Sequence, residues 1–144
     1  MNVKQISVFL DNKSGCLYAL TKLFAEKEIS IRALTVVDTS DFSMVRIIVD
    51  NALWTVNLLK EAGFLASFTD VIAAEVPNTP SGLNNVFNIM REAKINIEYM
   101  YTIFSRKSFS RICIVFKLDD NDAAISALKA SGIKVLGQCE IAEL

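Results

Sequence analysis

The sequence repeats itself, and this repeat limits the possible folds more than any other feature. The segment DNKSGCLYALTKLFAEKEISI, residues 11–31, matches PNTPSGLNNVFNIMREAKINI, residues 77–97. Residues 45–64 match residues 114–133 in the same way, so the similarity extends over most of both halves. A repeat of this length is typical of a duplicated structural unit. The sequence therefore predicts two copies of one small fold.

The repeat places the boundary between the copies near Asp70. The predicted domains are residues 1–70 and 71–144, and no stretch rich in proline, glycine or serine separates them. Apolar residues make up 52% of the chain, and because units of about 70 residues bury too little surface alone, we expect this apolar content to be buried in a shared sheet and at a dimer face. We expect two small units that pack rigidly together.

Each copy predicts the element order β-α-β-β-α-β. In the first copy Ile6, Val8 and Leu10 alternate as in a strand, and a second helix begins at an Asp50 cap and stops at Gly63. The other predicted segments are helices at 15–28, 81–94 and 121–131, and strands at 29–37, 44–49, 64–69, 71–76, 95–104, 111–118 and 133–141. The predicted fold class is α+β: two ferredoxin-like βαββαβ units side by side, with antiparallel sheets and helices on one face.

The sheet face away from the helices is predicted to be half apolar. If Val45, Ile47 and Val49 face the helices, other side chains of the sheet face away from them. These are Met44, Arg46, Ile48, Leu34, Val36, Met100, Cys113 and Val115. Such a face favours packing against a second sheet in a dimer, with scattered surface apolar residues as the alternative. We therefore predict a homo-oligomer, a dimer in the simplest case.

Composition excludes several kinds of chemistry. The chain has no histidine, which removes Ser-His-Asp and Cys-His nucleophilic sites and histidine-ligated metals. The net charge of −1 lacks the basic excess that nucleic-acid binding requires. No apolar run is long enough to span a membrane, and the N-terminus does not have the features of a signal peptide. The cysteines Cys16, Cys113 and Cys139 are too widely spaced to form a CxxC motif. We predict a cytoplasmic protein with reduced thiols, no metal, no cofactor, and neither nucleic acid nor membrane as partner.

The loop before the first helix of each copy carries the candidate site. The two loops read Asn12-Lys13-Ser14-Gly15-Cys16-Leu17 and Asn78-Thr79-Pro80-Ser81-Gly82-Leu83. A helix N-terminus offers unpaired N–H groups to an anion, a glycine lets a ligand approach the backbone, and an asparagine carbonyl accepts from an ammonium group. This combination suits the zwitterion of a free amino acid. Ordinary helix capping and turn formation are the alternative.

The order of elements, the Asn-x-x-Gly-type loop and the Ile95-Asn96-Ile97 opening of a strand resemble the ACT domain. The whole chain resembles a stand-alone tandem ACT protein. The resemblance implies a regulatory module that binds an amino acid or another small molecule, in units that pair through their second strands. It also implies a ligand at the junction of two units, between the first loop of one and the second strand of the other.

The resemblance assigns residues to two ligand sites. The first site is expected to comprise Asn12, Ser14, Gly15, Cys16 and Leu17, with Asn96 from the other copy. The second, weaker site is expected to comprise Ser30, Asn78, Ser81, Gly82 and Leu83. The topology adds Asp41, in a turn at the same end of the sheet, as a partner for the ligand ammonium, and Tyr99 as a wall for the ligand side chain. A plain turn at Asp41 and a packing role for Tyr99 are the alternatives.

These residues predict a non-catalytic sensor of free amino acids, in which the ligand stabilises one arrangement of the two units. The chain carries neither a catalytic domain nor a DNA-binding element, so a separate enzyme or regulator must read the ligand-bound state. The alternatives are a regulatory subunit of an amino-acid biosynthetic enzyme and a small acylphosphatase-type enzyme, which would need an arginine in the first loop. RNA binding would need an aromatic motif that the predicted strands MVRIIV and RICIVF do not have. A metallochaperone would need a CxxC motif, which the chain also lacks.

Overall fold

The computed structural model describes residues 2–11, 13–39, 41–103, 105, 107 and 109–144. Its elements in chain order are β1 (Val3–Asp11), α1 (Cys16–Glu26), β2 (Ile31–Asp38), β3 (Phe42–Val49), α2 (Ala52–Glu61), β4 (Leu65–Pro77), α3 (Pro80–Glu92), β5 (Ile97–Ile103), β6 (Arg111–Leu118), α4 (Asn121–Ala130), β7 (Lys134–Leu136) and α5 (Gln138–Ala142). They form two compact units. The first unit is Lys4–Thr69, and the second is Asp70–Leu144 with the first residues of the chain.

In the first unit β1 is a central strand of an antiparallel sheet. It pairs with β3, where Ile6 lies opposite Ile47, and β3 pairs with β2, where Leu34 lies opposite the same Ile47. The first part of β4 lies on the other side of β1, where the hydroxyl oxygens of Ser7 and Thr69 are 3.4 Å apart. The strand order β4-β1-β3-β2 is that of a ferredoxin-like unit.

The second unit repeats this sheet. The second part of β4 pairs with both β6 and β7, and Ala74 lies opposite Ile114 on one side and Val135 on the other. On the outer side of β6, strand β5 places Met100 opposite Phe116. The order β7-β4-β6-β5 matches the order in the first unit. The predicted α+β fold class, with two ferredoxin-like units, is confirmed. The strands predicted at 64–69 and 71–76 are one continuous strand, β4.

Each unit has its own apolar core between its sheet and two helices. In the first unit, Leu20 and Phe24 of α1 and Val56 and Leu59 of α2 pack on the sheet. The strand side chains they cover alternate along β1 and β3: Ile6, Val8, Leu10, Val45, Ile47 and Val49. The core of the second unit contains Val86, Ile89 and Met90 of α3 and Ala124 and Leu128 of α4. Each helix buries one apolar stripe, and both helices of a unit pack on the same face of its sheet. This arrangement is the one that the predicted element order requires.

Three side chains lie on the opposite side of the sheet from the one predicted. Residues directly opposite each other in an antiparallel pair share a face. Leu34 lies opposite Ile47 and Val36 opposite Val45, so both belong to the helix side. Met100 lies opposite Phe116 and packs against the core of the second unit. These three predictions were wrong because they ignored the register of the hairpin partner.

The predicted free sheet face is also less exposed than expected. Ile48, Cys113 and Val115 lie outside the two helix-side cores but are buried within the chain itself. Buried side chains are not available to pack against a second copy. A dimer therefore stays a prediction whose surface must include other residues.

The second helix of the first unit begins one residue later than predicted. Asn51, not Asp50, is the N-cap: its side-chain oxygen accepts a hydrogen bond from the Trp54 N–H at 3.1 Å. The Asp50 carboxylate instead accepts two hydrogen bonds from the Arg32 guanidinium, at 2.8 and 3.0 Å. This partnership raises the pKa of Arg32.

The segment 133–141, predicted as one strand, contains a short strand followed by the start of a helix. Strand β7 ends at Leu136, and the short helix α5 follows after Gly137. The Gly137 N–H donates to the Glu140 carboxylate at 2.9 Å, and Lys134 lies 3.2 Å from the same carboxylate. These contacts lower the pKa of Glu140, the backbone hydrogen bond contributing most. The apolar alternation of this segment gave no sign of the turn that the Glu140 side chain stabilises.

Among the described residues, no helix combines the length and the apolar character needed to cross a membrane.

The lowered pKa of Glu140 makes the attachment of α5 depend on pH. The native-state carboxylate is favoured as the anion, so its stabilisation is present at neutral pH and is lost as pH falls through its folded pKa. We expect Glu140→Ala to lower the melting temperature at pH 7 and to have little effect once the pH lies below the folded pKa of this carboxyl. Melting curves of both proteins over a pH series from neutral to acid measure this. A difference that is the same at all pH values would contradict it.

Candidate functional site

The first loop is a tight turn built around a left-handed glycine. Strand β1 ends at Asp11 and helix α1 begins at Cys16. The Lys13 N–H donates to the Asp11 carbonyl at 2.8 Å, and the Cys16 N–H donates to the Lys13 carbonyl at 3.3 Å. Gly15, the residue before the helix, has φ +89°, a conformation that side chains with a Cβ rarely adopt. The backbone itself therefore requires the glycine that the sequence singles out.

Among the described residues, helix α1 has no side chain that caps its N-terminus. The other helices of ten or more residues in that part of the chain each have one: Asn51 for α2, Thr79 for α3 and Asp120 for α4. The Cys16 N–H donates to Lys13, and among the described residues no side chain accepts from the next N–H groups of the first turn. The positive end of the helix dipole adds to the attraction of these groups for an anion. An uncapped N-terminus of this kind is suited to a carboxylate.

A cavity of about 260 Å³ opens beside this helix end and is called the polar cavity here. It lies between α1, the end of β1 and the β2–β3 hairpin. Its walls combine charged and apolar side chains: Leu10, Asp11, Lys13, Cys16, Leu17, Val36, Asp38, Ser43 and Val45. A volume of this size accepts a molecule of amino-acid dimensions.

The charged groups of the polar cavity have both signs. Lys13 provides an ammonium group, and Asp11 and Asp38 provide carboxylates. The Ser43 hydroxyl donates to Asp38 at 2.7 Å and holds that carboxylate at the end of the hairpin. A small molecule with one positive and one negative group finds complementary charge for both ends here.

A second cavity, of about 390 Å³, is lined by the end of β1, the start of α1 and the turn after α2, and is called the aromatic cavity here. Its lining is Phe9, Leu10, Asp11, Cys16, Ala19, Phe42, Gly63, Phe64 and Leu65. The two cavities share Leu10, Asp11 and Cys16 as walls. Both therefore adjoin the start of α1.

The structure brings some of the predicted first-site residues together. Cys16 and Leu17 line the polar cavity, Gly15 precedes the helix, and Ser14 lies exposed in the turn before it. Asn12 lies outside the described residues. Asp41 is exposed beyond the end of β2 and does not line the polar cavity.

Sequence reasoning missed the part that Lys13, Asp38 and Ser43 play in this cavity. Asp38 is the last residue of β2 and lies opposite Ser43 in the pairing with β3. Pairing the strands inward from the turn residues would have placed Asp38 beside Ser43. Asp41 was predicted as the partner of the ligand ammonium because it lies in the turn, and the residues at the ends of the two strands were not considered.

Asn96 and Tyr99, also predicted for the first site, belong to the second unit. The Asn96 N–H donates to the Asp119 carboxylate at 3.0 Å, and Asn96 is an exposed residue just before β5. Tyr99 stacks with Tyr101, with ring centroids 6.5 Å apart. These two tyrosines lie on the sheet side away from Met100, which packs against the core of the second unit. A ligand role for Asn96 or Tyr99 stays a prediction.

The loop of the second copy is closed by its own side chains. Thr79 accepts from the Gly82 N–H at 3.0 Å, and the Thr79 and Ser81 hydroxyl oxygens are 3.2 Å apart. Asn78 donates through its backbone to Ser110 at 2.8 Å and through its side chain to the Phe109 carbonyl at 3.0 Å. At the start of α3, at least one of the first-turn N–H groups thus donates to a side chain of the same loop, whereas α1 has no such side-chain acceptor among the described residues.

The remaining residues of the predicted second site have other surroundings. Leu83 packs against the core of the second unit. At Gly82 a Cβ would press against the carbonyl oxygen of Pro77, so close packing explains this glycine. Ser30 lines a separate cavity of about 160 Å³ with Glu28, Asp50 and Trp54, at the end of α1 opposite its first turn. The weaker second site stays a prediction.

The three cysteines are free and differ in their surroundings. Cys113 is buried, and burial with help from the Glu75 carboxylate raises the pKa of its thiol to about 12. Cys16 is partly exposed and Cys139 is exposed. Across the described residues, no group of three histidine, cysteine or carboxylate side chains is placed to hold a metal ion.

Comparison with known proteins identifies the family. The model of the family described as "ACT domain pair" matches residues 1–144, the whole chain. The chain therefore belongs to the ACT domain pair family, and the predicted resemblance is confirmed. Membership supports a regulatory, ligand-binding role.

Solved structures agree with this assignment. Protein BT0572 from Bacteroides thetaiotaomicron is 31% identical, with a TM-score of 0.92 over 100% of this chain and 98% of that one. The regulatory subunit of aspartate kinase from Thermus thermophilus is 18% identical, with a TM-score of 0.66 over 90% of each chain. The corresponding subunit from Thermus flavus is 18% identical, with a TM-score of 0.61 over 92% of this chain and 94% of that one. No curated protein matches the sequence.

The contact at Gly82 generates a stability prediction. A methyl group there meets backbone, which cannot move aside as a side chain can, so we expect Gly82→Ala to cost about 1–3 kcal/mol of unfolding free energy. Gly137→Ala is the matched control, because the nearest atom to its Cβ would be the Glu140 carboxylate at 3.8 Å. Urea unfolding of both variants measures the difference. Equal stabilities would contradict the packing explanation.

The surroundings of the cysteines generate a reactivity prediction. Under mildly alkaline conditions the native protein should react with a thiol reagent at Cys16 and Cys139 but not at Cys113, because a thiol with a pKa of about 12 is protonated and buried. Denaturant should release the third reactive group. Mass spectrometry after timed labelling identifies the modified residues. Fast native labelling of Cys113 would overturn the prediction.

Proposed function

We propose that this chain is a non-catalytic regulatory protein that binds a free amino acid at the N-terminus of α1. The observation that carries the proposal is that α1, among the described residues, lacks a side-chain cap and opens onto the polar cavity, whose walls hold both an ammonium group and carboxylates. An uncapped helix end alone would not define a ligand. Its position beside charges of both signs favours a zwitterion.

Each end of the amino acid has a complementary group. The ligand carboxylate would accept hydrogen bonds from the first-turn N–H groups of α1, next to Lys13. The ligand ammonium would donate to Asp38, which Ser43 holds in place. Leu17 and Val36 would flank the α-carbon of the ligand.

The same residues favour binding over catalysis. The polar cavity contains three groups of a kind that can act as nucleophiles, the Cys16 thiol, the Lys13 amine and the Ser43 hydroxyl. The chain has no histidine to activate a thiol or a hydroxyl. The Ser43 hydroxyl donates to Asp38, which orients that carboxylate. The first loop also lacks the arginine that an acylphosphatase-type site would need.

The regulated partner is proposed to be a separate protein. Two proteins of similar fold are regulatory subunits of aspartate kinase by their descriptions. At 18% identity they support the fold, and the partner of this chain is not inferred from them. An enzyme of amino-acid biosynthesis or another regulator would read the ligand-bound form. A dimer and a cytoplasmic location remain predictions from the sequence.

Ligand screening tests the proposal. At least one of the twenty free amino acids should raise the melting temperature, and calorimetry should confirm the binding. The amide of the same amino acid should bind more weakly, because it lacks the carboxylate for the helix end. No stabilisation by any amino acid at millimolar concentration would reject the proposal.

Two aspartate variants test which carboxylate receives the ammonium group. Asp38→Asn should weaken binding roughly 10- to 100-fold, since a hydrogen bond to a charged group contributes about 1.5–3 kcal/mol. Asp41→Asn, in the turn of the same hairpin, is the matched variant and tests the prediction made from the sequence. Equal loss in both, or loss at Asp41 alone, would contradict the role of Asp38. Asn12→Ala and Asn96→Ala test the two asparagines in the same assay.

A further inference from the structure

The aromatic cavity is not used by the contacts proposed so far. It is larger than the polar cavity and begins at the same residues, Asp11 and Cys16. We propose that it receives the side chain of the ligand and that this side chain is aromatic; the inference rests on the proposed function and specifies its ligand class.

Three phenylalanines are among the residues that line the aromatic cavity. Phe9 and Phe42 have centroids 5.9 Å apart and an interplanar angle of 54°, and Phe64 contributes from the turn after α2. Aromatic rings prefer tilted contacts with other rings, in which the edge of one approaches the face of the next. A ligand ring entering here gains contacts of this kind that an aliphatic chain does not offer.

The volume also fits a ring. Apolar cavities of about 150 Å³ in other proteins take up benzene. The aromatic cavity, at about 390 Å³, has room for a phenyl, phenol or indole group. Ala19, an exposed residue of α1 with a short side chain, forms part of the wall of this cavity.

Charge disfavours other ligand side chains. Asp11 is the charged residue of the aromatic cavity wall, so an acidic side chain would meet like charge. The remaining wall is apolar and offers a lysine or arginine side chain no second partner among the described residues. An aromatic side chain leaves the ammonium and carboxylate at the shared wall, where the uncapped start of α1 and the polar cavity meet.

Calorimetric titrations of the full chain with phenylalanine, tyrosine, tryptophan, leucine, alanine and glycine test the inference. We expect an aromatic amino acid to bind at least roughly tenfold more tightly than alanine. Ala19→Leu fills part of the aromatic cavity and should weaken aromatic binding by roughly 10- to 200-fold while changing alanine binding little. Ala25→Leu is the control, because Ala25 is an exposed residue of the same helix that lines neither cavity.

The outcomes separate the two proposals. If no amino acid binds, the proposed function fails and this inference fails with it. If amino acids bind but alanine or leucine binds as tightly as the aromatic ones, the inference is overturned and the proposed function stands. The same conclusion follows if Ala19→Leu and Ala25→Leu have equal effects. Selective loss of aromatic binding in Ala19→Leu, with unchanged melting temperature, supports the inference.

Discussion

The register of the central strand in each sheet is the constraint on which the rest of the structure depends. In the first unit, Ile6 opposite Ile47 and Val8 opposite Val45 place one apolar row under α1 and α2. A shift by one residue would turn every one of these side chains away from the helices. The same register ends β1 at Asp11 beside the β2–β3 hairpin, so the core pairing also fixes where the candidate site forms.

The two copies share a fold but differ at the start of their first helix. Helix α1 begins after a left-handed Gly15 without a side-chain cap from the described residues, whereas α3 begins with a Thr79 cap and a proline. Capping by Thr79 stabilises the helix and uses a donor that a ligand would otherwise bind. A duplicated unit thus retains its core while the side-chain capping at the start of its first helix differs between the two copies.

Much of this structure could be predicted from the sequence. The repeat and the apolar alternation mark strand side chains that, in each unit, are buried by helices of the same unit. The first loop was recognisable from its glycine and its place before a helix. The sheet face predicted for Leu34, Val36 and Met100 was wrong. Which face a side chain lies on depends on how its strand pairs with a strand elsewhere in the sequence, and the alternation within one strand does not indicate that pairing. The turn into helix α5 includes a hydrogen bond from the Gly137 N–H to the Glu140 carboxylate, which the periodicity of the sequence does not indicate.

The two loop glycines restrict the chain for different reasons. At Gly15 no described atom lies within 4 Å of the position that a Cβ would take, yet φ is +89°, so the restriction concerns the handedness of the backbone and not size. At Gly82 the restriction concerns size, because the Pro77 carbonyl occupies the space. Natural variation in related chains should therefore differ between them. Asparagine, which tolerates the left-handed region, is an acceptable replacement at position 15, whereas at position 82 any side chain must displace the Pro77 carbonyl, whatever its conformational preference.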